Sequence, residues 1–121
     1  MSEMIRVALD AMGGDLAPQA PIKGAVDAVK NNEKLKVILV GREDIIKNEL
    51  AKYEYPKERI EIKHASEVIA TGEPPVESIQ KKKDSSLVVA MKMVRAGEAD
   101  ALVTAGNTGS VLVGGQTIVR R

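Results

Sequence analysis

Gly106-Asn107-Thr108-Gly109-Ser110 is the stretch of this sequence best suited to chemistry. Two glycines bracket two small polar residues, and the apolar run Ala101–Ala105 leads into them. Glycine admits positive φ and lets a ligand approach the backbone with no Cβ in the way. Thr108 or Ser110 can cap a helix that follows. Such a turn aims free N–H groups and the positive end of a helix dipole at one point, which suits an anion, a phosphate above all. An ordinary strand-to-helix turn would have the same sequence, so the motif alone leaves both readings open.

A second group is Asp10 and Asp15, on either side of Gly13-Gly14. Carboxylates at a strand end can bind Mg²⁺, orient a substrate hydroxyl or act as a base; aspartate is also a common turn and capping residue. The G-x-G-x-x-G spacing is missing at both Gly13 and Gly106, which disfavours NAD, and no Gly-Lys-Ser or Gly-Lys-Thr of a P-loop occurs. A third group, Lys81-Lys82-Lys83 ahead of Ser85-Ser86, joins cations to hydroxyls at a helix start. That suits a phosphate or an acidic carrier protein, and equally a solvated basic turn before a capped helix. His64 is the only histidine and there is no cysteine, so no zinc ligand set is available. No Gly-x-Ser-x-Gly elbow accompanies His64, which reads as a surface or loop residue.

The elements that must position these groups follow from periodicity. Met4–Asp10 is the first strand, and it runs into the loop Ala11–Pro18. Pro18 and Pro21 suit a loop end and a first helical turn, and a helix follows to about Lys30 with Ile22, Val26 and Val29 on one face. Leu35–Val40 is a second strand ended by Gly41. Glu43 to about Lys52 is a second helix with Ile46 and Leu50 inward, and Tyr53 and Tyr55 pack at its end. Arg59–Lys63 alternates as an edge strand. Thr71-Gly72-Glu73-Pro74-Pro75 cannot be helical throughout, and Val76–Lys83 is a short helix. Asp84, Ser85 or Ser86 then caps a helix with Leu87, Met91 and Val94 on one face and Gly97 at its end. Ala101–Ala105 reads as a strand buried on both faces. Val111–Val119 is apolar nearly all round and reads as a buried helix. It ends at Arg120-Arg121 with nothing to cover it, as expected of a fragment or of a domain that lacks a partner. Strands alternating with helices predict a parallel α/β sheet, and ligands of such sheets bind beyond the strands' carboxyl ends. The turns after Asp10 and after Ala105 are therefore expected to face one crevice.

Bulk properties narrow the function. The 121 residues are 44% hydrophobic and 29% charged, enough for one globular domain spanning residues 1–121. A net charge of +1 gives no global electrostatic case for nucleic acid. Two tyrosines as the only aromatics argue against base-stacking platforms as well. The lack of cysteine excludes disulfides and thiolate chemistry and fits a reducing cytosol. The first residues do not form a signal peptide, and no apolar stretch is long enough to span a bilayer.

Three motifs together carry a resemblance. Asp10-Ala11-Met12-Gly13-Gly14-Asp15, Lys83-Asp84-Ser85-Ser86 and Thr104-Ala105-Gly106-Asn107-Thr108-Gly109 follow the order and spacing of the PlsX family, the bacterial acyl-carrier-protein:phosphate acyltransferases of phospholipid synthesis. The chain resembles the N-terminal portion of that family along essentially its whole length. The resemblance implies a Rossmann-like three-layer α/β fold with a mainly parallel sheet, similar to isopropylmalate dehydrogenases and phosphotransacetylases. It implies transfer of a fatty acyl group from acyl carrier protein to orthophosphate, with no metal, no cofactor and no covalent intermediate. It further implies a cytoplasmic homodimer associated peripherally with the membrane. By the same resemblance Asp10, Asp15 and Asn107 are catalytic candidates, and Gly13 and Gly14 line the crevice. Gly106, Thr108, Gly109 and Ser110 bind phosphate or the oxyanion, while Lys83, Ser85 and Ser86 hold anionic substrate. Leu16 departs from the histidine of some relatives, and Thr104 and Ser110 replace the more usual Ser and Ala. The alternative is a non-catalytic α/β module that binds a phosphorylated ligand or a partner chain.

Overall fold

The computed structural model describes residues 4–12, 17–67 and 81–104. Within them the chain runs β1 (Ile5–Asp10), α1 (Gln19–Asn31), β2 (Leu35–Gly41), α2 (Glu43–Leu50), β3 (Ile60–His64), α3 (Ser86–Arg95) and β4 (Ala101–Val103). A short 3₁₀ turn, Lys57–Arg59, precedes β3. The strands form one parallel sheet in the order β3-β2-β1-β4. Val7 pairs with Val37 on one side and with Ala101 on the other.

Strand alternation divides the core into two halves. On one face Leu9, Val37, Leu39 and Ile60 pack against Ile22, Ala25, Val26 and Val29 of α1 and Ile46 and Leu50 of α2, with Tyr53 and Tyr55 partly buried beside them. On the other face Ala8, Ile38, Val40 and Leu102 pack against Val89, Ala90, Met93 and Val94 of α3. Right-handed crossovers account for this division. The steps from β1 to β2 and from β2 to β3 go one way across the sheet, and the return from β3 to β4 goes the other, so α3 lies on the opposite face. The result is the parallel α/β sheet expected from the alternation of elements, in the three-layer, Rossmann-like form that the resemblance implies.

The helix ends are chemically explicit. Of the three candidate caps, Ser85 caps α3, its Oγ accepting the Val88 N–H at 3.2 Å. Gly97, at φ +79, closes the same helix. The Gly97 N–H donates to the Val94 carbonyl and the Glu98 N–H to the Met93 carbonyl, the bond pair of a Schellman motif. Glu43 and Asp44 sit in the first turn of α2, where the helix dipole favours negative charge.

One strand differs from its sequence reading. Ala101–Ala105 was expected to be covered on both faces; the strand is Ala101–Val103, and Ala101 and Val103 are exposed, Val103 by 51%. Apolar sequence reports what a residue would gain from cover, not whether cover arrives. Among the described residues β4 is an edge strand, and only Leu102 reaches α3. On the α1 side, Val103 borders a groove of about 350 Å³ lined by Val7, Leu9, Gly24, Ala25 and Ala28. The small α1 residues on that flank fill little of the space. The expected helices at 76–83 and 111–119 and the Thr71–Pro75 stretch fall wholly or largely outside the described residues.

The two sides of the sheet therefore respond differently to truncation. Leu39 is fully buried at the centre of the α1/α2 layer, and Leu39→Ala should destabilise the protein by about 2–5 kcal/mol. Val103→Thr, at a half-exposed edge position, should change stability by less than about 0.5 kcal/mol. Urea unfolding of the two variants beside the parent checks both values.

Candidate functional site

The carboxyl ends of β1 and β4 lie side by side. The chain leaves β1 toward α1 on one face and reaches β4 from α3 on the other, so the strand order reverses between these two strands. That reversal is the switch point at which parallel α/β sheets bind ligands. The loops leaving β1 and β4 are the two that the sequence expected to share a crevice, and their parent strands are paired neighbours.

Asp10, the last residue of β1, stands at this point. Ala8 and Asp10 share the α3 face of their strand by alternation, and Leu102 and Thr104 share it on the β4 side. Asp10 is only 3% exposed. Its Oδ1 accepts the Ser86 hydroxyl at 2.5 Å and the Met12 N–H at 3.1 Å, and its Oδ2 accepts the Thr104 hydroxyl at 3.0 Å. A buried carboxylate is tolerated when donors replace the water it has lost. Here two hydroxyls and one peptide N–H do so, drawn from the start of α3, the residue after β4 and the turn after β1. The carboxylate thereby holds three separate segments together.

The start of α3 is itself held by a short zipper. The Glu67 N–H donates to the Asp84 carbonyl and the Ser86 N–H to the Glu67 carbonyl, at 3.1 and 3.0 Å. The Asp84 carboxylate accepts both the backbone N–H and the hydroxyl of Ser66, at 2.9 and 2.5 Å. These bonds hold the Asp84 carboxyl below its ordinary range, with the nearby His64 and Lys92 acting in the same direction. Ser85 and Ser86 are fully buried, one hydroxyl capping the helix and the other donating to Asp10. Lys83 is exposed on the turn before them. His64 is exposed at the end of β3, where its Nδ1 accepts the Glu43 N–H and so caps α2. Met12 lies over Gly41: a Cβ there would come within 2.6 Å of the Met12 side chain, so Gly41 leaves room for the turn after β1.

At the opposite end, β4 is tied to β1 by Arg6 and Asp100. The Arg6 N–H donates to Asp100 Oδ2 at 2.9 Å, the Asp100 N–H donates to the Arg6 carbonyl at 2.7 Å, and the guanidinium donates to the Gly97 carbonyl at 2.8 Å. The Arg6 N–H, then its guanidinium, lowers the Asp100 pKa.

Of the residues singled out by sequence, Asp10 and Ser86 are brought into contact, Ser85 adjoins them in sequence, and Lys83 lies at the surface two positions further back. Gly13, Gly14, Asp15, Gly106, Asn107, Thr108, Gly109 and Ser110 lie outside the described residues. Thr104 and Ser66 were not among the sequence candidates. Thr104 was signalled by its position, a hydroxyl directly after an apolar strand; Ser66 had no comparable signal. Among the described residues no group of three or more His, Cys, Asp or Glu could hold a metal, and no helix is long and apolar enough to cross a membrane.

Known proteins bear on this geometry. A family model described as fatty acid synthesis protein matches residues 5–121. A phosphate acyltransferase of Alkaliphilus oremlandii is 50% identical over 117 residues, which are 97% of this chain and 35% of the relative. One of Fusobacterium nucleatum is 49% identical over 117 residues, with the same shares. One of Clostridium botulinum strain Loch Maree is 45% identical over 115 residues, 95% of this chain and 34% of the relative. The chain thus spans about a third of the length of the curated relatives it matches.

The Ser66–Asp84 zipper makes a pH prediction. Asp84 has a lower pKa folded than unfolded, so its contribution is complete above the ordinary carboxylate pKa and is lost as pH falls through the folded value. Urea unfolding between pH 7 and about pH 3 should show stability falling below about pH 5, and Asp84→Asn should flatten part of that fall.

Proposed function

The chain belongs to the fatty acid synthesis protein family, and from that premise we propose that it is the phosphate-binding part of an acyltransferase that makes acyl phosphate from fatty acyl-acyl carrier protein and orthophosphate. The observation that carries this reading is the meeting of β1 and β4 at Asp10, at the switch point of the sheet, in a chain half identical to a protein named phosphate acyltransferase. In sequence the Gly106–Ser110 motif begins three positions after the last residue of β4, and the Gly13-Gly14 motif three positions after the last residue of β1.

In this reading a phosphate oxygen attacks the thioester carbonyl. The tetrahedral oxyanion collapses, the carbon–sulfur bond breaks, and the carrier's thiolate leaves and takes up a proton. The chain supplies position and charge. Backbone N–H groups of Gly106–Ser110, with Asn107, hold phosphate or the developing oxyanion. Lys83 adds an exposed cation for the anionic substrate. Ser85 and Ser86 serve through the helix start and the Asp10 contact, and Asp15 with Gly13 and Gly14 lines the crevice. A homodimer in the cytoplasm, touching the membrane only peripherally, fits an enzyme with a soluble carrier and a fatty product.

The test is a thermal melt in phosphate against chloride at matched ionic strength. Charge-assisted hydrogen bonds contribute about 1.5–3 kcal/mol each, and phosphate at 100 times its Kd should stabilise the parent by about 2.7 kcal/mol. Gly109→Val should abolish the shift, because a β-branched side chain intrudes on the anion and resists positive φ. An equal shift in parent and variant places the anion elsewhere. In an acyl-transfer assay, Lys83→Ala should raise the KM for acyl-acyl carrier protein while stability changes by less than about 0.5 kcal/mol; unchanged kinetics would make Lys83 a solvated turn residue.

A further inference from the structure

α2 begins without a cap of its own. The residue ahead of it is Arg42, which has extended backbone and a side chain that makes no capping bond. A guanidinium carries donors only, so it offers nothing to the free N–H groups of a first helical turn. The acceptor comes from the neighbouring strand instead. His64 ends β3 opposite Gly41, the last residue of β2, and the Ala65 N–H donates to the Gly41 carbonyl at 2.8 Å. That pairing holds the imidazole beside the start of α2, where its Nδ1 accepts the Glu43 N–H at 3.2 Å.

A ring nitrogen differs from the usual capping oxygen in one respect. The side-chain oxygens of Ser, Thr and Asn keep their lone pairs at every pH near neutrality. Imidazole gives up its free lone pair when it takes a proton, and both nitrogens then donate. An imidazolium therefore cannot accept the Glu43 N–H. His64 is exposed and is the only histidine of the chain, and imidazole is the side chain whose ordinary charge change falls between about pH 5 and pH 8.

The surrounding charges decide where a protonated ring stands. The start of α2 carries positive partial charge and Arg42 adds a full one, and both oppose an imidazolium there. Lys63 precedes the ring on β3. The first turn of α2 holds Glu43 and Asp44, and the Glu43 carboxylate is engaged by Lys47 at 3.4 Å. On the α3 side stands Asp84, near enough for His64 and Lys92 to act on its carboxylate. These carboxylates attract a positive ring, but none of them returns the lone pair that the Glu43 N–H uses.

We infer that His64 is a pH-responsive cap lent by one element to another: neutral, it fastens the first turn of α2 to the end of β3, and protonated, it releases that turn. The bonds at Asp10 and between Ser66 and Asp84 contain no imidazole, so the response is confined to the α2 side of the carboxyl edge.

The experiment follows the Glu43 amide and the His64 ring by NMR of the whole chain from pH 8 to pH 5. The parent is compared with His64→Asn, whose side-chain oxygen accepts near the place of Nδ1 and does not titrate, and with His64→Ala, which offers no acceptor. In the parent the Glu43 amide signal should move along the same curve as the ring. Its protection from exchange with water, corrected for the intrinsic effect of pH, should fall about fivefold to tenfold, the scale of a lost helix cap. Both variants should be flat across the range, protected in His64→Asn and unprotected in His64→Ala. The protection of the Met12 and Ser86 amides should not follow the ring. A Glu43 amide that stays fixed while the parent ring titrates overturns the inference, as does one that moves equally in His64→Asn. Loss of protection at Met12 and Ser86 along the ring's curve overturns the confinement to α2.

Discussion

A carboxylate removed from water has to be surrounded by donors, and the structure is organised around meeting that requirement at Asp10. Burial without partners would be prohibitive for a charged group, so the three donors at Asp10 do more than decorate it. Each comes from a different segment, and each segment must arrive in register for the charge to be accommodated. An apolar residue at this position would tolerate sliding of the neighbouring strand and helix. A carboxylate with directional partners does not, which gives the carboxyl edge of the sheet a single geometry.

The layers behind that edge explain how the requirement is met. Alternation along β1 sends Val7 and Leu9 toward α1 and Ala8 and Asp10 toward α3. The reversal of strand order puts α3 on that second face, with its capped first turn at the carboxyl edge. The Ser66–Asp84 zipper then fixes Ser86 within reach of Asp10. Ser85 and Ser86 divide the work: one hydroxyl closes the helix and its neighbour closes the carboxylate.

Most of the layering was legible in the sequence because it is written in local periodicity. Ile22, Val26 and Val29 marked the inner face of α1, the run from Leu35 marked β2, and Ser85 and Gly97 marked the ends of α3 within a residue or two. The exposure of β4 was not legible, since Ala101 and Val103 are apolar whether or not anything packs on them. Asp10 could be read as a strand-end carboxylate, but its two hydroxyl partners lie 76 and 94 residues away. No window along the chain contains both sides of those bonds; the rule that parallel sheets bind ligands at the strands' carboxyl ends put the turns after β1 and β4 at one crevice, and the resemblance to a family added Ser86 to it. Thr104 was visible as a letter in a motif, while its meaning depends on which face of β4 it shares with Asp10.

The long sequence separation of those bonds has a kinetic meaning. β1, α1 and β2 are consecutive, as are β2, α2 and β3, so their contacts close short loops, whereas pairing β4 with β1 closes a loop nearly as long as the described chain. Closure of long loops carries more entropy loss and slows the contacts that depend on it. On that ground the carboxylate of Asp10 is expected to stay hydrated until α3 and β4 dock. Changes at Ser86 or Thr104 should then act on the unfolding rate and leave the refolding rate nearly untouched, as is typical of a latch that closes last and opens first.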